Sequence, residues 1–100
     1  MKPVIIHSAA RAELDAAMQW YEEQVKGLGL DLEAEINHAV RRLSRNPAAC
    51  PRYKKSGFRK QHVRRFPYIV FFMELTDLIW IAAIAHAKRR PNYWKARRPE

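Results

Sequence analysis

The first 27 residues contain two different patterns of apolar positions. Val4, Ile5 and Ile6 form a β-branched run, which predicts a short buried strand. Apolar residues then recur at three- and four-residue steps, which predicts an amphipathic helix that starts at an N-cap on Ser8 and ends at Gly27. The apolar stripe of this helix consists of Ala10, Leu14, Ala17, Met18, Tyr21 and Val25.

A second stripe with helical spacing follows. It consists of Leu32, Ile36, Ala39, Val40 and Leu43. Asn46 should end this helix, because Pro47 disfavours helical backbone in the residue before it. The short link 27–29 predicts that the two helices form an antiparallel hairpin. Each stripe can cover the other helix only in part, so both require a further apolar surface.

The second half of the chain is typical of β-structure. Residues 47–57 form a basic loop, and residues 58–66 have the composition of an exposed strand. Residues 68–73 are aromatic and β-branched and predict a strand, which a turn at Thr76 and Asp77 closes. Residues 78–85 are apolar without alternation, as expected of a central strand that is covered on both faces.

The predicted order is therefore β-α-α-β-β-β within a single domain, 1–100. Helices and strands that do not alternate indicate the α+β class. We expect the helical hairpin to pack on one face of a mostly antiparallel four-stranded sheet. The other face and the C-terminal edge would then remain free for partners.

Charge divides the chain into two unlike halves. Residues 1–50 carry 6 basic and 7 acidic side chains, whereas residues 51–100 carry 13 basic and 3 acidic ones. A positive field of this kind attracts nucleic acid, an anionic membrane or an acidic protein. Together with an apolar groove on the helical hairpin, it predicts a small acidic, amphipathic partner whose association is sensitive to salt.

Several other classes of function lack the residues they need. Cys50 is the only cysteine, which excludes an internal disulfide and fits a reducing cytoplasm. The four histidines are scattered, no glycine-rich phosphate loop occurs, and no apolar run is long enough to cross a membrane. We therefore expect a cytoplasmic protein with no signal peptide, no metal and no cofactor.

The segment 86–94 contains the most specific candidate chemistry. It combines His86, three cations and two aromatic residues immediately after the predicted central strand. Cations interleaved with aromatic residues suit phosphates and bases, and they suit an acidic amphipathic peptide equally well. Arg89 and Arg90 are expected to bind a partner, whereas Trp94 is expected to fold back onto the sheet.

At this point the chain resembles the RelE/ParE toxin superfamily, nearer its ParE-like branch. The resemblance covers nearly the whole chain and rests on the order and spacing of short pieces. These are residues 16–22 (AAMQWYE), 27–29 (GLG), 46–47 (NP), 64–68 (RRFPY), His86 after an apolar strand, and 90–94 (RPNYW). It implies a helical hairpin on a twisted antiparallel sheet, and growth inhibition that a small antitoxin suppresses.

The resemblance also implies roles for particular residues. A ParE-like toxin would inhibit DNA gyrase without nuclease chemistry, and its candidate target-binding residues are Lys54, Lys55, Arg65, His86 and Arg90. The candidate antitoxin-binding residues lie on the helical hairpin and are Leu14, Tyr21, Ile36 and Val40.

Two alternatives to gyrase inhibition stay open. A RelE-like toxin would cut messenger RNA on the ribosome, and the resemblance would then assign catalysis to Arg64, Arg89 and Tyr93. Cations that hold the phosphorane charge and a tyrosine that moves a proton are suitable for that reaction. The second alternative is a degenerate, non-toxic binding module.

Overall fold

The computed structural model describes residues 1–100 and contains two helices and four strands. The strands are β1 (Val4–Ile6), β2 (Arg59–His62), β3 (Tyr68–Glu74) and β4 (Ile79–His86). The helices are α1 (Ser8–Gln24) and α2 (Leu28–Arg45), and a single 3-10 turn (Pro47–Ala49) follows α2. The predicted element order and the α+β class are both confirmed.

The four strands form one sheet in the order β1-β4-β3-β2. β1 runs parallel to β4, whereas the β2–β3 and β3–β4 pairs are antiparallel. The sheet is thus mostly antiparallel, as predicted. Every residue of β4 except His86 is buried, because the helical hairpin covers one face of this strand and the end of the chain covers the other.

A register shift interrupts the pairing of β3 with β4. Phe71 pairs with Ala83 and Phe72 pairs with Ile81, so Ala82 is one residue in excess. Since side chains alternate between faces along a strand, one extra residue reverses the alternation beyond it. The side chains of β4 that pack with the hairpin are consequently Ile79, Ile81 and Ile84.

The helical hairpin packs on the sheet through the predicted stripes. Leu14 of α1 and Leu32, Ile36 and Leu43 of α2 are at most 2% exposed. Val25 is the exception: its side chain is 59% exposed, because α1 has already ended at Gln24.

The helix ends differ from the prediction in two details. His7, not Ser8, caps α1: its Nδ1 accepts a hydrogen bond from the Ala9 N–H at 3.0 Å. Gly27 has the expected left-handed backbone (φ 89°), yet it precedes α2 directly, so Gly29 lies inside that helix and not in the link.

The second face of the sheet is not free, which corrects the expectation from the sequence. Residues after β4 fold back over it, and Trp94 is 1% exposed there. Its ring stacks on Phe71 with a centroid distance of 4.3 Å and an interplanar angle of 25°. The apolar residues buried on this face are Phe58, Phe71, Trp80, Ala82, Ala83, Ala85 and Trp94. Aromatic burial of this kind stabilises the C-terminal segment on the sheet.

Candidate target-binding surfaces

Glu13 of α1 is the anchor of the C-terminal segment. Its carboxylate accepts hydrogen bonds from the Tyr93 hydroxyl and, at 3.1 Å each, from both terminal nitrogens of Arg97. The guanidinium of Arg89 lies 3.6 Å from the same carboxylate, whose side chain is only 11% exposed. Hydrogen bonds to a charged, poorly hydrated group are among the stronger ones in proteins, so this cluster fixes the segment against α1.

The same cluster completes the open edge of β4. β1 ends at Ile6, which pairs with Ile81, so beyond that point β4 has a neighbouring strand only on its other side, where β3 lies. The Ile84 N–H donates to Glu13 at 3.1 Å, and Arg97 donates to the Ala82 carbonyl at 2.8 Å. Side chains therefore satisfy backbone groups that would otherwise lack partners.

Tyr93 is held as a neutral hydrogen-bond donor. Burial, followed by the hydrogen bond to Glu13 and the charge of that carboxylate, raises the pKa of Tyr93 well above its ordinary value. The Arg89 guanidinium carbon lies 3.8 Å from the centroid of the Tyr93 ring, which is a cation–π contact. A phenol in this setting retains its proton near neutral pH.

Arg64 does not join Arg89 and Tyr93 in one site. It is exposed on the turn between β2 and β3, where it lines a concavity with residues of α2. Arg89 and Tyr93 instead line a concavity with Glu13 and other residues of α1. The three residues that a RelE-like reaction would need thus lie on two different surfaces.

The candidate target-binding residues fall into two groups. His86 and Arg90 line one cavity of about 170 Å³, together with Tyr53 and Asn92. The Tyr53 hydroxyl donates to the Asn92 side-chain oxygen at 2.7 Å, which ties the basic loop to the C-terminal segment.

Lys54 belongs to the same group, whereas Arg65 does not. The Lys54 ammonium lies 5.2 Å from the centroid of the Tyr53 ring, and Lys55 beside it is exposed. Arg65 is on the turn between β2 and β3 and pairs with Asp31 of α2 at 3.6 Å. Three of the five predicted residues, Lys54, His86 and Arg90, therefore lie around the Tyr53–Asn92 contact.

The candidate antitoxin-binding residues are only partly accessible. Leu14 and Ile36 are 2% exposed and face the sheet, so burial in the core corrects their assignment as surface contacts. Tyr21 and Val40 are half-buried at the margin of that core. The large apolar side chains that the hairpin does expose were not singled out from the sequence: Trp20 is 56% and Leu30 is 65% exposed. Their positions just off the buried stripes were the available signal.

No group of three His, Cys, Asp or Glu side chains is arranged to hold a metal ion. Neither helix combines the length and the apolar character that crossing a membrane requires.

Comparison with known proteins identifies the family. A family model described as the ParE toxin of the type II toxin–antitoxin system, parDE, matches residues 4–91. The chain belongs to the ParE toxin family. This confirms the resemblance found in the sequence, and an antitoxin is the partner that membership in a toxin–antitoxin family implies.

The fold of this ParE-family toxin is also found among solved structures. A structure titled as a chromosomal ParDE toxin–antitoxin system from P. aeruginosa matches with a TM-score of 0.78 and 22% sequence identity. The match covers 88% of this chain and 98% of the other, and at this identity it supports the fold alone. A search of curated proteins finds no match.

Proposed function

We propose that this ParE-family toxin inhibits bacterial growth, when it is free of its antitoxin, by binding DNA gyrase in the cytoplasm. The family match over residues 4–91 is the observation that carries the proposal. The single cysteine, Cys50, is a free buried thiol, which is compatible with a reducing compartment.

The geometry of the basic residues favours binding over RNA cleavage. Tyr93 keeps its proton on a hydrogen bond to Glu13, and Arg64 lies on another surface. General acid–base catalysis needs a group that exchanges a proton near the working pH, and the raised pKa of Tyr93 opposes this.

We assign the contact with gyrase to the surface around the Tyr53–Asn92 hydrogen bond. Lys54 and Arg90 place positive charge beside this contact, Lys55 is exposed next to Lys54, and His86 lies in the adjoining cavity. A concave surface with apolar walls and a basic rim is suited to an acidic patch on a folded protein.

We assign the antitoxin to the helical hairpin. Trp20 and Leu30 are exposed there, and Tyr21 and Val40 are accessible at its margin. An acidic amphipathic helix could cover these side chains while it offsets the net charge of +9.

The test is inhibition of DNA supercoiling by purified gyrase. We expect the wild-type toxin to inhibit and the Lys54→Glu/Arg90→Glu variant to need about tenfold more protein, because like charges would meet at the interface. The control, Arg11→Glu/Lys26→Glu, changes the net charge equally at exposed positions on the helical hairpin and should inhibit like wild type.

Pulse-labelling of cells that express the toxin alone separates the alternatives. Loss of DNA synthesis before protein synthesis supports the proposal. Loss of protein synthesis first would contradict it and favour a ribosome-dependent nuclease, whose cleavage Tyr93→Phe should then abolish. Normal growth of cells with abundant soluble toxin would favour the non-toxic binding module.

A further inference from the structure

A row of basic side chains lies on the outer side of α2. His38, Arg41, Arg42 and Arg45 are spaced by three, one and three residues, which places them on one face of the helix. Arg64 joins them from the turn between β2 and β3. These five residues, here named the α2 cationic face, line a concavity of about 510 Å³ that contains no hydrophobic residue.

Almost no acidic side chain neutralises the positive charge of the α2 cationic face. None of its four arginines has a carboxylate oxygen within 4.0 Å, the limit for an ion pair. Glu35 is the one carboxylate that reaches the face, at 3.6 Å from His38. Arg42 donates to the His62 carbonyl at 3.1 Å and retains its charge. Mutually repelling guanidinium groups in a concavity create a positive potential that a bound anion would relieve.

The lining of the face favours a nucleic-acid backbone over a protein partner. Guanidinium groups match phosphate and carboxylate oxygens alike with two parallel hydrogen bonds, so the rest of the lining decides between these partners. The core of a protein interface is rich in apolar and aromatic contacts, and the lining of this concavity has none. The absence of aromatic residues also disfavours single strands, which bind through base stacking.

The dimensions of the face fit a double helix. His38 and Arg45 are seven residues apart, which corresponds to about 10 Å along α2 at roughly 1.5 Å per residue. Duplex DNA carries about one phosphate charge per 1.7 Å of its axis, so several phosphates come within reach.

We propose that the α2 cationic face binds the sugar–phosphate backbone of duplex DNA without sequence preference. The choice of DNA over RNA rests on the proposed action on gyrase, an enzyme whose substrate is duplex DNA. The face lies on a different part of the molecule from the Tyr53–Asn92 surface assigned to gyrase itself, so one toxin could contact both enzyme and DNA.

The experiment measures binding of the purified toxin to a fluorescent 20-base-pair DNA duplex by anisotropy, over a series of salt concentrations. The test variant is Arg41→Gln/Arg45→Gln/Arg64→Gln, in which all three side chains are exposed. Each lost phosphate contact lowers the slope of log K against log salt by about 0.9, so we expect the slope to fall by about 2.7. Affinity should fall at least tenfold.

A matched control removes the same charge elsewhere. Arg11→Gln/Arg52→Gln/Arg98→Gln replaces three exposed arginines outside the face and should keep most of the affinity and slope. Thermal unfolding of both variants, followed by circular dichroism, should match wild type. An equal loss of DNA binding in test and control variants would overturn the proposal, because it would reflect net charge alone.

Two further ligands complete the test. Tighter binding to an RNA duplex of the same sequence would overturn the assignment to DNA. Loss of poly-glutamate binding by the test variant, with DNA binding intact, would assign the face to an acidic protein segment instead. Supercoiling assays test the proposed function independently of DNA binding. DNA binding without gyrase inhibition would refute the proposed function only. Gyrase inhibition without DNA binding would refute this inference only.

Discussion

At the scale of single residues, the contact between Tyr93 and Glu13 joins the C-terminal segment to α1. The sequence offered Tyr93 as a candidate for RNA cleavage, because tyrosine can move protons. In the fold, its hydroxyl donates a hydrogen bond to the Glu13 carboxylate. The same carboxylate also accepts hydrogen bonds from Arg97 and from a backbone N–H of β4. The hydrogen bond therefore contributes to the stability of the fold. This contribution depends on pH, because the phenol can donate only while it is protonated.

The sign of this dependence follows from the raised pKa of Tyr93. The folded state favours the protonated phenol, so its contribution is complete below the ordinary pKa near 10 and is lost as pH rises through the folded value. Urea unfolding at about pH 8 and about pH 11 should show a steeper alkaline loss of stability in wild type than in Tyr93→Phe. Equal losses in the two proteins would contradict the prediction.

At the scale of elements, the two helices approach closely at Gly29. A Cβ atom built at this position would lie 2.6 Å from the Met18 carbonyl oxygen of α1, closer than real contacts allow. The Glu22 carboxylate, which accepts from the Gly29 N–H at 3.0 Å, would also be in the way. Gly29 therefore sets the spacing of the helical hairpin at the start of α2.

Gly29→Ala tests this spacing by the sign of its effect. Helix propensity alone would make the alanine variant more stable by about 1 kcal/mol. Because the added methyl group meets backbone, we expect a loss of about 1–3 kcal/mol in the free energy of unfolding by urea. A more stable variant would show that the helices can separate at no cost.

At the scale of the whole molecule, the C-terminal segment gives the sheet a second core. Trp94 is enclosed by Tyr53, Phe58 and Phe71, with ring centroids 5.5, 4.8 and 4.3 Å away. These partners come from the basic loop, the residue before β2, and β3. One side chain thus connects segments that are far apart in the sequence, and it covers an aromatic face that would otherwise be exposed.

Trp94→Ala should open this second core. Truncation of a fully buried tryptophan costs about 3–5 kcal/mol, which we expect as a lower urea midpoint together with increased binding of a hydrophobic dye. Trp20→Ala is the matched control, since Trp20 is 56% exposed and its loss should cost under about 1 kcal/mol. Similar losses in both variants would contradict the assignment of Trp94 to a core.

Much of the fold could be predicted from local patterns. The stripes of Leu14 and Leu32 have the period of a helix, Pro47 stops α2, and β-branched and aromatic runs form the strands. Such signals depend on neighbours within one or two turns, so they can be seen in a single sequence. The details that were predicted wrongly concern adjacent residues. The N-cap of α1 is His7 and not Ser8, although either side chain can accept a hydrogen bond from a backbone N–H of the first turn.

Candidate residues could be named from the sequence, but their grouping could not. From the sequence, Arg64 was grouped with Arg89 and Tyr93 as one candidate catalytic set. α2 lies in the first half of the chain, whose basic and acidic side chains nearly balance, so no positive surface was predicted there. The fold separates Arg64 from Tyr93 and brings it beside Arg41 and Arg45. Distances between residues far apart in sequence depend on chain topology, which no local period records.

By itself, therefore, the sequence determined the element order, the α+β class, the family and the supply of positive charge. Tertiary structure alone decided the register shift at Ala82, the aromatic partners of Trp94 and the convergence of the α2 cationic face. The physical reason is that element type follows from short-range periodicity and sterics. Burial, pairing register and electrostatic neighbourhood are instead settled when distant segments compete for the same surfaces.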